Sequence, residues 1–85
     1  MIFEWDEEKN AKNIKKHGIG FEEAIAVFFD PLIIEHFDRE HSSEERWRAY
    51  GFVHKLLAVT FTERAGVTRI ISARKATKME EKELL

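Results

Sequence analysis

The sequence predicts an α+β fold in which two N-terminal helices pack on a small antiparallel meander sheet and a short C-terminal helix closes the chain. Three observations carry this. Helix-end signals bracket Asp6 to Gly18, and apolar residues recur at helical spacing from Phe21 to Phe28. From Leu32 to Ala73, apolar-rich and alternating runs are separated by turn signals at His54-Lys55 and Ala65-Gly66. Thr77-x-x-Glu80 then reads as a capping box opening a last helix. Helices segregated from a run of strands mark α+β rather than alternating α/β.

Each element has its own signal. Ile2-Phe3-Glu4-Trp5 alternates like an edge strand. Asp6 is a candidate N-cap, with Glu7 and Glu8 in the first helical turn, where the dipole favours negative charge. This helix should run to about His17 and stop at Gly18, a natural C′ residue, with Lys15, Lys16 and His17 in its last turn. Its apolar content is thin, with Ala11 and Ile14 the main contributors. Phe21, Ala24, Ile25 and Phe28 predict a second helix over Phe21–Phe29, ended by Asp30-Pro31. Leu32–Phe37 reads as a strand and Asp38–Glu45 as an exposed charged loop. Arg46–Val53 sets Trp47, Ala49, Gly51 and Val53 against Arg48, Tyr50 and Phe52. Leu56–Glu63 and Val67–Ala73 complete the meander. One sheet face should pack on the helices and the other stay partly open, as antiparallel sheets allow.

The 85 residues form one expected domain, 1–85, with one modest core. With no cysteine, disulfides, thiolate metal sites and cysteine nucleophiles are excluded. No apolar run is long enough to span a bilayer and the N-terminus is unlike a signal peptide, so a cytoplasmic location is expected.

Charge is unevenly placed. The chain carries a formal net charge of −2, yet every charged residue from Arg64 to Lys78 is basic: Arg64, Arg69, Arg74, Lys75 and Lys78. A basic island on strand-like sequence suits a polyanion, and the guanidinium fork can hold phosphate bidentately. The alternative is a row of strand-edge charges that keeps the sheet soluble. Lys9, Lys12 and Lys16 share one face of the first helix, either as a second basic wall or as an ordinary solvated face.

Single residues are read the same way. His17 could transfer a proton, or simply complement the helix dipole. Glu63-Arg64 could pair a base with a charge stabiliser, but adjacent strand residues point to opposite faces unless the turn bends the chain. His36, His41 and His54 show no metal-site spacing. Trp5 and Trp47 read as core before base-stacking platforms.

Four segments together resemble the BrnT toxins of BrnT/BrnA toxin–antitoxin modules: F-E-W-D-E-E-K-N-A-K-N-I-K-K-H-G at Phe3–Gly18, F-E-E-A at Phe21–Ala24, D-P at Asp30-Pro31, and R-I-I-S-A-R-K-A-T at Arg69–Thr77. The resemblance covers nearly the whole chain. One departure is Gly20, where many members of that family carry a serine cap. The resemblance implies a single RelE-like toxin domain acting as a ribonuclease that blocks translation without a metal or other cofactor. It implies a BrnA-like ribbon-helix-helix antitoxin, through which alone the protein meets operator DNA. It places His17, Glu63, Arg64 and Arg74 in the catalytic site and Lys9, Lys12 and Lys16 among the RNA contacts. Arg69 and Lys75 join those contacts from the basic island.

The expected reaction is in-line attack of a ribose 2′-hydroxyl on the neighbouring phosphorus, with Arg64 and Arg74 stabilising charge and His17 or Glu63 moving the proton. Two other readings stay open. One is a non-catalytic partner completing an antitoxin–DNA repressor complex, which suits the negative net charge. The other is a generic RNA-binding domain.

Overall fold

The computed structural model describes residues 1–38 and 45–85. The elements run β1 (Ile2–Glu4), α1 (Glu7–His17), α2 (Phe21–Ala24) with a 3₁₀ turn (Ile25–Phe29), β2 (Ile34–Asp38), β3 (Arg46–Val53), β4 (Lys55–Arg64), β5 (Val67–Lys75) and α3 (Lys78–Leu84). The sheet order is β1-β5-β4-β3-β2.

β2 to β5 form the expected antiparallel meander. The sheet as a whole is nevertheless mixed, because β1 joins β5 in parallel, pairing Ile2–Glu4 with Val67–Arg69. That pairing spans most of the chain, so no local pattern announces it.

The first helix forms as its ends dictate. The Asp6 carboxylate accepts from the Glu8 and Lys9 N–H groups at 2.8 and 3.3 Å. Gly18 takes φ 72° and donates its N–H to the Ile14 carbonyl. What holds the helix to the sheet is polar. Ala11 is exposed, Ile14 is 48% exposed, and Asn13 is the buried residue. β1 covers only Val67–Arg69 of the β5 edge, and Asn13 covers Ala73 beyond it. The Asn13 amide nitrogen donates to the Ala73 and Ile19 carbonyls, both at 2.8 Å, and its oxygen accepts from the Ala73 N–H at 3.2 Å. One side chain thus takes the place of a neighbouring strand. Asn10 accepts from the Phe21 N–H at 2.8 Å and ties α1 to α2.

The second helix is shorter than expected. Only Phe21–Ala24 is α-helical, and Ile25–Phe29 tightens to 3₁₀. Phe21, Ala24 and Val27 are all fully buried, a spacing of three that matches the 3₁₀ period and not the α period. A Cβ on Gly51 would stand 2.9 Å from the Val27 carbonyl oxygen, so only glycine lets β3 approach this turn. β2 begins at Ile34, not Leu32, because Asp30 turns the chain, accepting from the Leu32 N–H through its side chain and from the Ile33 N–H through its carbonyl. Asp38 ends β2 as a buried residue instead of opening a loop, and the rest of that expected loop, residues 39–44, lies outside the described residues. The β3–β4 turn centres on His54 alone, at φ 64°, and Lys55 already belongs to β4.

The core sits between one sheet face and the N-terminal helices, and includes Ile19, Phe21, Ala24, Val27, Leu57, Val59, Phe61 and Ile70. Trp5 and Trp47 flank it. A smaller cluster on the opposite face, Tyr50, Leu56, Ala58 and Ala76, receives Leu84 of α3. The expected capping box is present, with Thr77 and Glu80 each bonding the other's backbone N–H.

Asn13→Ala should therefore lower unfolding free energy by about 2–4 kcal/mol, since it orphans buried groups of Ala73 and Ile19. Ile14→Ala should cost less, its side chain being half exposed. Urea titration of both variants checks this, and equal losses would contradict the strand-like role of Asn13.

Candidate nucleic-acid interface

Register assigns the side chains of the open face. Residues opposite one another in a sheet share a face, so His36, Arg48, Thr60 and Ser72 form one row across it. Ile34, Tyr50, Ala58 and Arg74 form the next. Asp38 with Arg46, and Thr62 with Arg69 and Glu4, lie on the same face one step further along, followed by Arg64 with Val67. Among the described residues, five arginines therefore stand on one face: Arg46, Arg48, Arg64, Arg69 and Arg74.

A bulge makes this possible. Thr60 pairs with Ser72 and Phe61 with Ile70, which leaves Ile71 as an extra residue in β5. Arg69 and Arg74 are five positions apart, which in a regular strand puts them on opposite faces. The extra residue brings both to the open face.

The face has two ends. At one, α3 lies over the sheet and Glu80 gathers the cations. Arg74 donates Nη1 to Glu80 Oε1 at 2.8 Å and Nη2 to Oε2 at 3.1 Å. The Tyr50 hydroxyl donates to Oε2 at 2.5 Å. Arg48 lies 3.9 Å from Oε2, 3.7 Å from an Asp38 oxygen, and donates to the Tyr50 hydroxyl at 3.4 Å. His36 meets the Tyr50 ring edge-on at 5.8 Å. The Arg74 hydrogen bonds hold the Glu80 carboxyl far below the usual carboxylate range, with help from the Thr77 N–H and Tyr50 and against desolvation. Burial, then the Glu80 carboxylate, pushes the Tyr50 phenol up, so it serves as a donor. Glu80 likewise raises Arg74.

At the other end, Glu4, Thr62, Arg64, Val67 and Arg69 line a polar cavity of about 210 Å³. Arg69 pairs with Glu4 at 3.0 Å across β5 and β1. Arg64 is exposed, with no hydrogen bond or ion pair among the described residues.

Arg64, Arg69 and Arg74 thus come together on one face, but other expected site residues fall elsewhere. Glu63 pairs with Thr68 and points to the helix side, where it lines a cavity of about 200 Å³ with Glu35, Trp47 and Phe61. It does not meet Arg64; the turn does not bend the chain enough to join the two. Lys75 pairs with Leu57, on the opposite face from Arg74. His17 is exposed at the end of α1. At about 100° per residue, His17 lies on the flank of Asn13 that carries Asn10 and Ile14, the flank facing α2. Lys9, Lys12 and Lys16 lie on the other flank of Asn13, turned away from α2 and toward the open-face side.

Arg46, Arg48, Tyr50, His36 and Glu80 also stand on or over this face, and sequence reading did not single them out as candidate site residues. The alternation Arg46, Arg48, Tyr50 was the available signal for three of them. Among the described residues, no three His, Asp or Glu side chains gather as metal ligands. None of the helices is long and apolar enough to cross a membrane, again among the described residues.

A family model described as "Ribonuclease toxin, BrnT, of type II toxin-antitoxin system" matches residues 5–80. Among solved structures, the chain is similar to the Brucella abortus ribonuclease toxin BrnT, with a TM-score of 0.68 and 25% sequence identity over 92% of this chain and 100% of that one. No curated protein matches the chain.

The Glu80 cluster makes a pH-dependent contribution to stability. Its folded pKa is depressed, so the contribution is fully present above the ordinary value of 4.5 and is lost progressively as pH falls below it. Glu80→Gln should cost about 1–3 kcal/mol at neutral pH. Urea titrations at several pH values should show the gap between the two proteins narrowing below pH 4.5. A constant gap would place the effect in packing, not charge.

Proposed function

The chain belongs to the BrnT family of ribonuclease toxins of type II toxin–antitoxin systems, a membership that implies an antitoxin partner, and from it we propose that the open sheet face is the RNA-cleaving surface. The observation that carries this is the register, which aligns five arginines on one face. Guanidinium groups stepping along a sheet can follow a phosphate backbone.

The reaction is endonucleolytic and independent of metal. A ribose 2′-oxygen attacks the adjacent phosphorus, its proton leaves, the P–O5′ bond breaks, and the 5′-oxygen takes up a proton. The products end in a 2′,3′-cyclic phosphate and a 5′-hydroxyl. Arg74 and Arg48 stabilise the charge that builds on the phosphoryl oxygens, and the Tyr50 hydroxyl adds a neutral donor. Arg64, Arg69 and Arg46 hold the strand on one side. Lys9, Lys12 and Lys16 extend the basic surface over α1, and Lys75 adds charge at the sheet edge. His17 and Glu63, the proton-transfer groups that the resemblance implies, stand off this face, while His36 stands on it next to Tyr50 and Arg48. Positioning and charge can supply most of the acceleration in such a site.

In the cell this activity blocks translation until a BrnA-like ribbon-helix-helix antitoxin binds, and operator DNA is reached only through that partner. The single-domain, RelE-like assignment and a cytoplasmic location belong to the same reading. One observation favours a second reading, that of a non-catalytic partner in a repressor complex: Arg48, Arg69 and Arg74 are already paired with carboxylates of this chain.

Incubation with total RNA in chelator, with the fragment ends identified, separates the two. Cyclic-phosphate ends are expected, and intact RNA together with harmless expression would favour the second reading. Arg74→Ala and Arg48→Ala should each slow cleavage about 10²–10³-fold. His17→Ala and Glu63→Gln should each slow it less than about tenfold, short of the usual range for acid–base groups. Loss of cleavage in His17→Ala with near-normal Arg48→Ala would move the site off this face.

A further inference from the structure

The Glu80 carboxylate is gripped as a phosphate would be. Its two oxygens receive both Nη atoms of Arg74, the Tyr50 hydroxyl and the Thr77 N–H, and Arg48 lies 3.9 Å away. The Glu80 side chain is 17% exposed, so this is a built and largely desolvated anion site. A guanidinium fork that fits two carboxylate oxygens fits two non-bridging phosphate oxygens equally well.

The element that delivers this carboxylate is lightly held. α3 has seven residues and none of them is buried. Met79 and Leu85 are 70% and 72% exposed. Leu84 is its apolar contact with the smaller cluster. Beside it, a cavity of about 370 Å³ opens among Ile34, Tyr50, Leu56 and Leu84. A helix this short has little stability of its own. Glu80 is also the capping residue of α3, with Oε1 accepting from the Thr77 N–H. Withdrawing its carboxylate from Arg74 therefore loosens the start of the helix, and lifting the helix withdraws the carboxylate.

We propose that Glu80 occupies, from within the chain, a phosphate site of the sheet, and that Arg74, Tyr50 and Arg48 take an RNA phosphodiester in its place when α3 lifts away. This rests on the reading of the open face as the RNA surface. α3 then acts as a tethered competitor, and free protein spends most of its time with this site closed.

The test uses a 2′-O-methyl oligoribonucleotide, which binds but lacks the attacking hydroxyl, with fluorescence anisotropy as the readout. Glu80→Gln should bind about tenfold tighter than the native protein, the order expected for freeing one charge-assisted fork. Glu83→Gln removes the same charge from an exposed position on the same helix and should change affinity much less. Arg74→Ala added to Glu80→Gln should abolish the gain. Equal gains in Glu80→Gln and Glu83→Gln would reduce the effect to net charge and overturn the proposal. So would unchanged or weaker binding by a Glu80→Gln protein whose circular dichroism is native. If Glu80→Gln does not fold, amide NMR of the native protein decides: the oligonucleotide should shift or broaden the Lys78–Leu84 signals, and silence there overturns the proposal. Cleavage of total RNA by the native protein with no gain in Glu80→Gln defeats the competitor alone. Absence of oligonucleotide binding in every protein defeats the RNA reading with it.

Discussion

The Asn13 amide fixes the relation between helix and sheet on which the rest depends. β5 is paired by β1 over only part of its edge, and an unpaired buried N–H and C=O at Ala73 would be costly. Asn13 supplies both missing partners from the side of a helix. In doing so it sets the rotation of α1. Asn10, Ile14 and His17 turn toward α2, and Lys9, Lys12 and Lys16 turn the other way. A helix with almost no apolar face can be positioned this way because two directed hydrogen bonds to Ala73, with a third to Ile19, specify angle as well as distance, which apolar contact does not.

The second constraint is electrostatic. An acidic chain presents a cationic sheet face because its arginines are collected there by register, while most of its carboxylates are spread over helices and loops. Among the described residues, the carboxylates that do reach the face, Glu4, Asp38 and Glu80, are each paired with an arginine. They hold the guanidinium groups in place, which lowers the ordering entropy that a ligand must overcome. They also compete with any anion. The same ion pairs can therefore preorganise a phosphate site and keep it closed, and which effect dominates depends on how easily the carboxylate leaves. Glu4 sits on a short edge strand and Asp38 is buried, whereas Glu80 rides on a helix with no buried residue.

The ends of the helices were readable because capping is local chemistry. Asp6, Gly18 and the Thr77–Glu80 box act within four residues of themselves, and all three behave as their identities require. The β3 alternation was equally legible, since one residue in two must face the core. The 3₁₀ turn was not, because Phe21, Ala24, Ile25, Val27 and Phe28 satisfy both a period of three and one of 3.6, and only contact with the sheet selects between them. The candidate face was legible in part. The basic island pointed to β5, but Arg46 and Arg48 lie too far off in sequence to be joined to it by inspection, and Glu80 read simply as a cap.

By itself, then, the sequence determined the α+β class, the limits of α1, the meander of β2 to β5 and the presence of cations near the C-terminal strand, because each rests on interactions between near neighbours. Tertiary structure alone decided that β1 lies parallel to β5, that Glu63 and Arg64 part to opposite faces, and that the extra residue at Ile71 brings Arg69 and Arg74 to one. Those outcomes follow from strand pairing and its registry. A shift of a single residue inverts every side chain beyond it, and no local preference is strong enough to specify that in advance.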